Sequence, residues 1–305
     1  MADLSVEIAG VKLKNPVMPA SGTYEYSEMH KNFFTPSKLG ALVTKTIFLN
    51  PRQGNPPPRI YETPCGLLNS IGIPSEGVEN FIKHKLPYLK KFDSPVIVSI
   101  AENTVESFLR LCEKIEKTEQ ADMLELDLSC PNVQKGTEWS ANKETLYKIV
   151  KEIKDSTSLP VIAKLSPLVS DISEMSLCAE EAGADAVSMI NTIKGMAINI
   201  SKRQPVLGNK TGGLSGPAIH PLAVYAVYSS YKKIRIPIIG IGGISSWEDA
   251  VELILAGAAA VGVGMYNFIN PLVMKEIITG IEVYLDKNNF KRVKDITGLA
   301  VSSQS

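Results

Sequence analysis

The sequence predicts an α/β protein, a closed (β/α)8 TIM barrel with long strand-to-helix loops at its C-terminal face. Three observations lead there. Eight short β-branched runs recur along the 305 residues, each bounded by Pro, Gly or polar residues. Most intervals between them carry helical periodicity, and strands alternating with helices pair in parallel through right-handed crossovers. Eight such units with extra length in loops match a barrel of about 250 residues or more. A doubly wound open sheet is the structural alternative.

The runs span 16–22, 41–47, 95–101 and 123–129, then 160–166, 186–192, 236–243 and 260–265. Helical stripes lie between them: Val105, Phe108, Leu109, Cys112 and Ile115 share one face, and Met175, Cys178, Ala179 and Ala182 another. Two intervals are too long for a bare crossover. One, between Phe48 and Ser75, is Pro-rich with little periodicity; the other, between Ile193 and His220, ends in TGGLSGPAIHP. Both follow strands, so both belong to the C-terminal face, where barrel enzymes keep their sites. No repeat, linker or low-complexity tract divides residues 1–305, which read as one domain.

Composition narrows the class. Lys+Arg 32 against Asp+Glu 32 leaves no basic excess for nucleic acid. No apolar run is long enough for a transmembrane helix, and the opening MADLSVE has no basic-then-apolar signal. Cys65, Cys112, Cys130 and Cys178 are widely spaced without a CxxC. That spacing fits reduced thiols in a cytoplasmic protein, with no metal site and no disulfide framework.

The strand ends carry the chemistry. In MLELDLSCPN, Leu124, Leu126 and Leu128 alternate with Glu125, Asp127 and Ser129. The leucines should face the helices and the acids the barrel interior. Lys45 and Lys164 sit near strand ends, and buried charges of both signs should neutralise one another; Asp127 is expected to pair with Lys164 or Lys45. The alternatives are a structural ion network and lysines that balance negative charge on a bound cofactor or substrate. Cys130 ends the fourth strand ahead of Pro131, at the barrel mouth, where its thiol can be a nucleophile, a general base or a structural residue. Cys112 and Cys178, on helix stripes, read as inert core residues. GIGGI (Gly240–Ile244), VGVGM (Val261–Met265) and TGGLSG (Thr211–Gly216) can offer backbone N–H groups to a phosphate, and the glycines lack a dinucleotide fingerprint. Asn69, Asn132 and Asn191 add carboxamides suited to a ring with alternating C=O and N–H edges.

LSCPN, NTIKGM, SGPAI and GIGGI together make the chain resemble class 1 dihydroorotate dehydrogenases, from NPVMPASGT through MYNFINP. CGLLNSIGIPSEGVE and NKTGGLSGPAIHP look most like the class 1B catalytic subunit, an FMN protein. The resemblance implies oxidation of dihydroorotate to orotate in de novo pyrimidine biosynthesis, with Cys130 as general base and hydride transfer to FMN. Lys45 and Lys164 would assist. Ser21, Lys45, Thr46, Asp127, Lys164 and Ile190 would border the flavin, and Gly216, Gly242, Gly243, Gly264 and Met265 would hold its phosphate. Lys45, Asn69, Ser70, Ile71, Gly72, Ile73, Asp127, Asn132, Asn191 and Thr192 would contact the pyrimidine and its carboxylate.

The resemblance further implies a homodimer, joined by a partner subunit with FAD and an iron–sulfur cluster into a heterotetramer passing electrons to NAD. The sequence departs from the family pattern in three places. Asp127 stands where Asn is usual, Met265 replaces Thr, and VQKGTEWSANKE after Cys130 lacks the usual Gly-rich, Phe-bearing stretch. The competing readings are an FMN oxidoreductase for another dihydropyrimidine such as dihydrouracil, a flavin-free phosphosugar barrel, and a non-catalytic subunit. Flavin colour and a preference for orotate over uracil separate them.

Overall fold

Alternation along eight short strands sorts the side chains of this protein into two cores. The computed structural model describes residues 1–24, 33–128 and 139–302. The strands are β1 (Val17–Pro19), β2 (Leu42–Val43), β3 (Val96–Ile100) and β4 (Met123–Asp127), then β5 (Val161–Lys164), β6 (Ala186–Met189), β7 (Ile238–Ile241) and β8 (Ala260–Val263). They form one parallel sheet in the order β1-β8-β7-β6-β5-β4-β3-β2. Gly40 N–H donates to the Val17 carbonyl at 2.9 Å, drawing the approach to β2 against β1. The result is a nearly closed (β/α)8 barrel, as the alternating pattern predicts.

Helices α1 (Val105–Glu116), α2 (Lys143–Lys154), α3 (Ile172–Glu181), α4 (His220–Tyr231), α5 (Trp247–Ala256) and α6 (Val273–Lys287) surround it, with a helical stretch over 78–89 between β2 and β3. Their starts are written locally. The side chains of Thr104, Asn142 and Asp171 accept the backbone N–H groups of Ser107, Thr145 and Ser173, and Ser246 with Asp249 forms a capping box. Phe108, Cys112 and Ile115, and Met175, Cys178 and Ala179, turn inward as their stripes predict. The outer core joins them to outward strand residues such as Val98, Leu124, Leu126 and Val187.

The inner core is separate and lies inside the barrel. Met18, Val43, Ile97, Met123, Ile162, Ala186, Ile239 and Ala260 meet there. Its N-terminal end is closed by a hairpin, Val6–Ile8 with Val11–Leu13, whose Ile8 and Leu13 are fully buried in the same cluster. Ala9 and Gly10 turn the hairpin with φ of 52° and 82°, the left-handed pair that a tight turn between twisted strands needs.

The two long intervals behave differently from the loops expected of them. Ile193–Gly195, Gly212–Ser215, Gly66–Asn69 and Ile60–Thr63 join, in that order, as a four-stranded antiparallel sheet. Each interval pairs two strands of its own, and the two pairs join through Gly66–Asn69 and Gly212–Ser215. Both follow barrel strands, and their sheet stands at the C-terminal end.

Candidate active site

Above the apolar layer the barrel interior turns polar. Ser21 after β1, Thr46 after β2 and Ser99 on β3 form a hydroxyl triangle, with Oγ and Oγ1 atoms 2.9–3.1 Å apart. Strict alternation would send Lys45 and Thr46 to opposite faces. A bulge prevents this: Val43 stands beside Ile97 and Ile47 beside Ile100, so β2 spends one residue more than β3 over the same distance. Thr46 is thereby buried against Ser99, and Lys45 stands half-buried. Among the described residues nothing pairs with the Lys45 ammonium.

Across the barrel, Lys164 on β5 faces Glu125 on β4, with Nζ 3.5 Å from Oε1, and Ser188 on β6 donates to Oε2 at 3.0 Å. Both charged side chains are under a tenth exposed, so each depends on the other for solvation. Asp127 lies beside Lys164 in the ladder and accepts from Asn191 Nδ2 at 3.3 Å. Asn191 Oδ1 in turn accepts Thr192 N–H at 2.7 Å. Glu125 meets Lys164 at 3.5 Å, and Asp127 helps to orient the Asn191 carboxamide.

A glycine edge closes one side. Gly216, Gly242 and Gly243 have φ of 99°, 136° and 67°, which a Cβ would strain. A Cβ on Gly243 would also lie 2.7 Å from His220 N, and one on Gly242 would lie 3.3 Å from Ile190 Cγ1. Gly264 is the opposite case: nothing stands within 4 Å of its Cβ position, so the chain there borders open space. The Met265 methyl turns to Gly216, where an added Cβ would be 2.7 Å away. Among the described residues no oxygen accepts the N–H groups of Gly243, Gly264 or Met265.

The loop from Asn69 is tied down on its outer side. Asn69 Nδ2 donates to Gly213 O at 3.4 Å, Asn55 Nδ2 to Ser70 Oγ at 3.0 Å, Asn55 N to Ile71 O at 3.1 Å and Arg52 Nε to Gly72 O at 3.0 Å. Gly72 and Ile73 both adopt positive φ, 75° and 46°. Cys130 and Asn132 lie outside the described residues. Cys112 and Cys178 match their inert reading: burial pushes the Cys112 thiol up to about 12 and raises that of Cys178. The sequence reading passed over Ser99, Ser188 and His220. Ser99 and Ser188 were detectable as lone hydroxyls inside the apolar runs VIVSI and AVSMI; His220 had no local signal.

The sequence pattern of dihydroorotate dehydrogenase matches residues 3–285. The chain belongs to the dihydroorotate dehydrogenase family. Relatives named dihydroorotate dehydrogenase B (NAD(+)), catalytic subunit, are similar over almost their whole length. That of Thermoanaerobacter pseudethanolicus is 48% identical over 297 residues, covering 97% of this chain and 98% of the relative. Those of Geotalea uraniireducens and Caldicellulosiruptor bescii are 46% and 48% identical, covering 98% and 97% of this chain and 99% and 98% of the relatives. The dihydrouracil alternative is not favoured by these relatives. Membership of the dihydroorotate dehydrogenase family implies FMN, and the mouth suits it: acceptor-free N–H groups border open space at Gly264, as a phosphate needs, and buried lysine charge stands on β5. Among the described residues no helix is long and apolar enough to cross a membrane.

Proposed function

We propose that this chain oxidises dihydroorotate to orotate in de novo pyrimidine biosynthesis, as one FMN-binding barrel domain over residues 1–305. The observation that carries the reading is the junction, in one barrel mouth, of the acceptor-free Gly243, Gly264 and Met265 N–H groups with the buried Lys164–Glu125 pair. The first suits a phosphate, and the second keeps a cation fixed inside the barrel.

Gly216, Gly242, Gly243, Gly264 and Met265 hold the FMN phosphate, and Ser21, Lys45, Thr46, Asp127, Lys164 and Ile190 border its ring. Bound FMN supplies the acceptor for two electrons. The chain supplies the rest. Cys130 removes the proton from C5 of the substrate, a position made acidic by the neighbouring carbonyl. Lys164 keeps positive charge at the mouth where negative charge develops during the reaction, and Glu125 and Ser188 hold it there. Lys45, with no protein partner among the described residues, is a counter-charge for an anionic substrate. Asn69, Ser70, Ile71, Gly72, Ile73, Asn132, Asn191 and Thr192 contact the pyrimidine and its carboxylate. Asp127 only accepts hydrogen bonds when ionised, so it contributes by turning the Asn191 carboxamide.

NAD is the final acceptor through a partner subunit with FAD and an iron–sulfur cluster, and two catalytic chains and two partners form a heterotetramer in the cytoplasm. Anaerobic titration of the purified chain with dihydroorotate tests the core of this: the flavin absorbance bleaches, and orotate binds where uracil does not. A colourless protein, or flavin that dihydroorotate leaves oxidised, refutes it.

A further inference from the structure

His220 opens α4 with its ring buried between two acceptors. Nδ1 lies 2.9 Å from the carbonyl oxygen of Gly242, and Nε2 lies 3.0 Å from Oε2 of Glu252 on α5. A carbonyl and a carboxylate both accept only, so the two ring nitrogens stand between two acceptors. The imidazole links the turn after β7 to a helix surface behind the glycine edge.

The Gly242–Gly243 peptide is trans, so its C=O and N–H point in opposite directions within one plane. A Gly242 carbonyl held toward His220 therefore aims the Gly243 N–H away from His220. That N–H is among those without an acceptor in the described residues. The far end of the same turn is also gripped: Asp249 accepts Ser245 N–H at 2.7 Å and Ser246 N–H at 3.0 Å, and its other oxygen lies 3.9 Å from His220 Nε2. Only Gly242, Gly243 and Ile244 separate these anchors from β7, and among the described residues His220 is the side chain that holds the Gly242 carbonyl.

We infer that His220 is a positioning residue for anion recognition: with Glu252 behind it, it turns the Gly243 N–H toward the flavin phosphate. This rests on the FMN reading above. The test is flavin rebinding to stripped protein, followed by fluorescence, with FMN and with riboflavin, which lacks the phosphate. His220→Ala is expected to weaken FMN binding about tenfold while leaving riboflavin affinity unchanged. Glu252→Ala alters an exposed side chain and leaves the buried ring in place, so it reads the same effect, about threefold, even if His220→Ala does not fold. The inference is overturned if the ratio of FMN to riboflavin affinity in Glu252→Ala equals that of the wild type, or if His220→Ala weakens both flavins equally. Wild-type protein with no preference for FMN over riboflavin would instead refute the phosphate reading itself.

Discussion

The two halves of the barrel interior are built from the same strands and the same alternation, yet their chemistry is opposite. Below, Met18, Val43, Ile97, Met123, Ile162, Ala186, Ile239 and Ala260 pack against the Ile8 and Leu13 plug. Above, Ser21, Thr46, Ser99, Glu125, Lys164 and Ser188 fill the equivalent space with hydrogen bonds and one ion pair. Burying an apolar side chain contributes about 1.5–3 kcal/mol, whereas a buried ion pair roughly breaks even against its own desolvation. The lower half therefore carries stability, and the upper half is retained for what it can bind.

That division can be broken experimentally. The largest effect is expected from Cys130→Ala, which should lower turnover about 10²–10⁴-fold while FMN content and unfolding midpoint stay at wild-type values. Undiminished turnover would remove Cys130 from the chemistry. Next, Lys164→Met leaves Glu125 buried with, among the described residues, only the Ser188 hydroxyl as hydrogen-bond partner, at a cost of about 3–5 kcal/mol in urea unfolding. Adding Glu125→Gln should restore most of that stability without restoring dihydroorotate oxidation; a double variant as unstable as the single one would mean that the pair does not set the cost.

The lower half should respond in the reverse sense. Ile162→Ala is expected to cost about 2–5 kcal/mol of unfolding free energy with kcat unchanged at a temperature where the variant remains folded. A drop in kcat without loss of stability would contradict the assignment of the two halves. The smallest effect is expected at the hydroxyl triangle. Ser99→Ala removes hydrogen bonds to Ser21 and Thr46 and should cost about 1 kcal/mol, seen as a modest shift in urea midpoint.

Much of this is legible in the sequence. The eight runs coincide with β1 to β8, and the Leu124–Leu126–Leu128 alternation sends Glu125 inward as read. Other features depended on partners distant in sequence. Gly66–Asn69 pairs locally with Ile60–Thr63, but its other neighbour, Gly212–Ser215, comes from the other long interval. Thr46 faces the interior only because of the bulge opposite Ile97–Ile100. Asp127, expected beside a lysine, takes up Asn191 in addition to its place next to Lys164 in the ladder.

Local chemistry, then, settled the barrel, the inward acids and the glycine-bordered mouth, because period-two alternation, helix caps and left-handed glycines are properties of neighbouring residues. Three things were decided by the folded chain alone: the approach of Glu125 to Lys164, the sheet joining the two long intervals, and the clasp of His220 on Gly242. Each joins residues from separate strands or loops, and a one-dimensional pattern carries no record of which distant groups the closure of a barrel brings within hydrogen-bond reach.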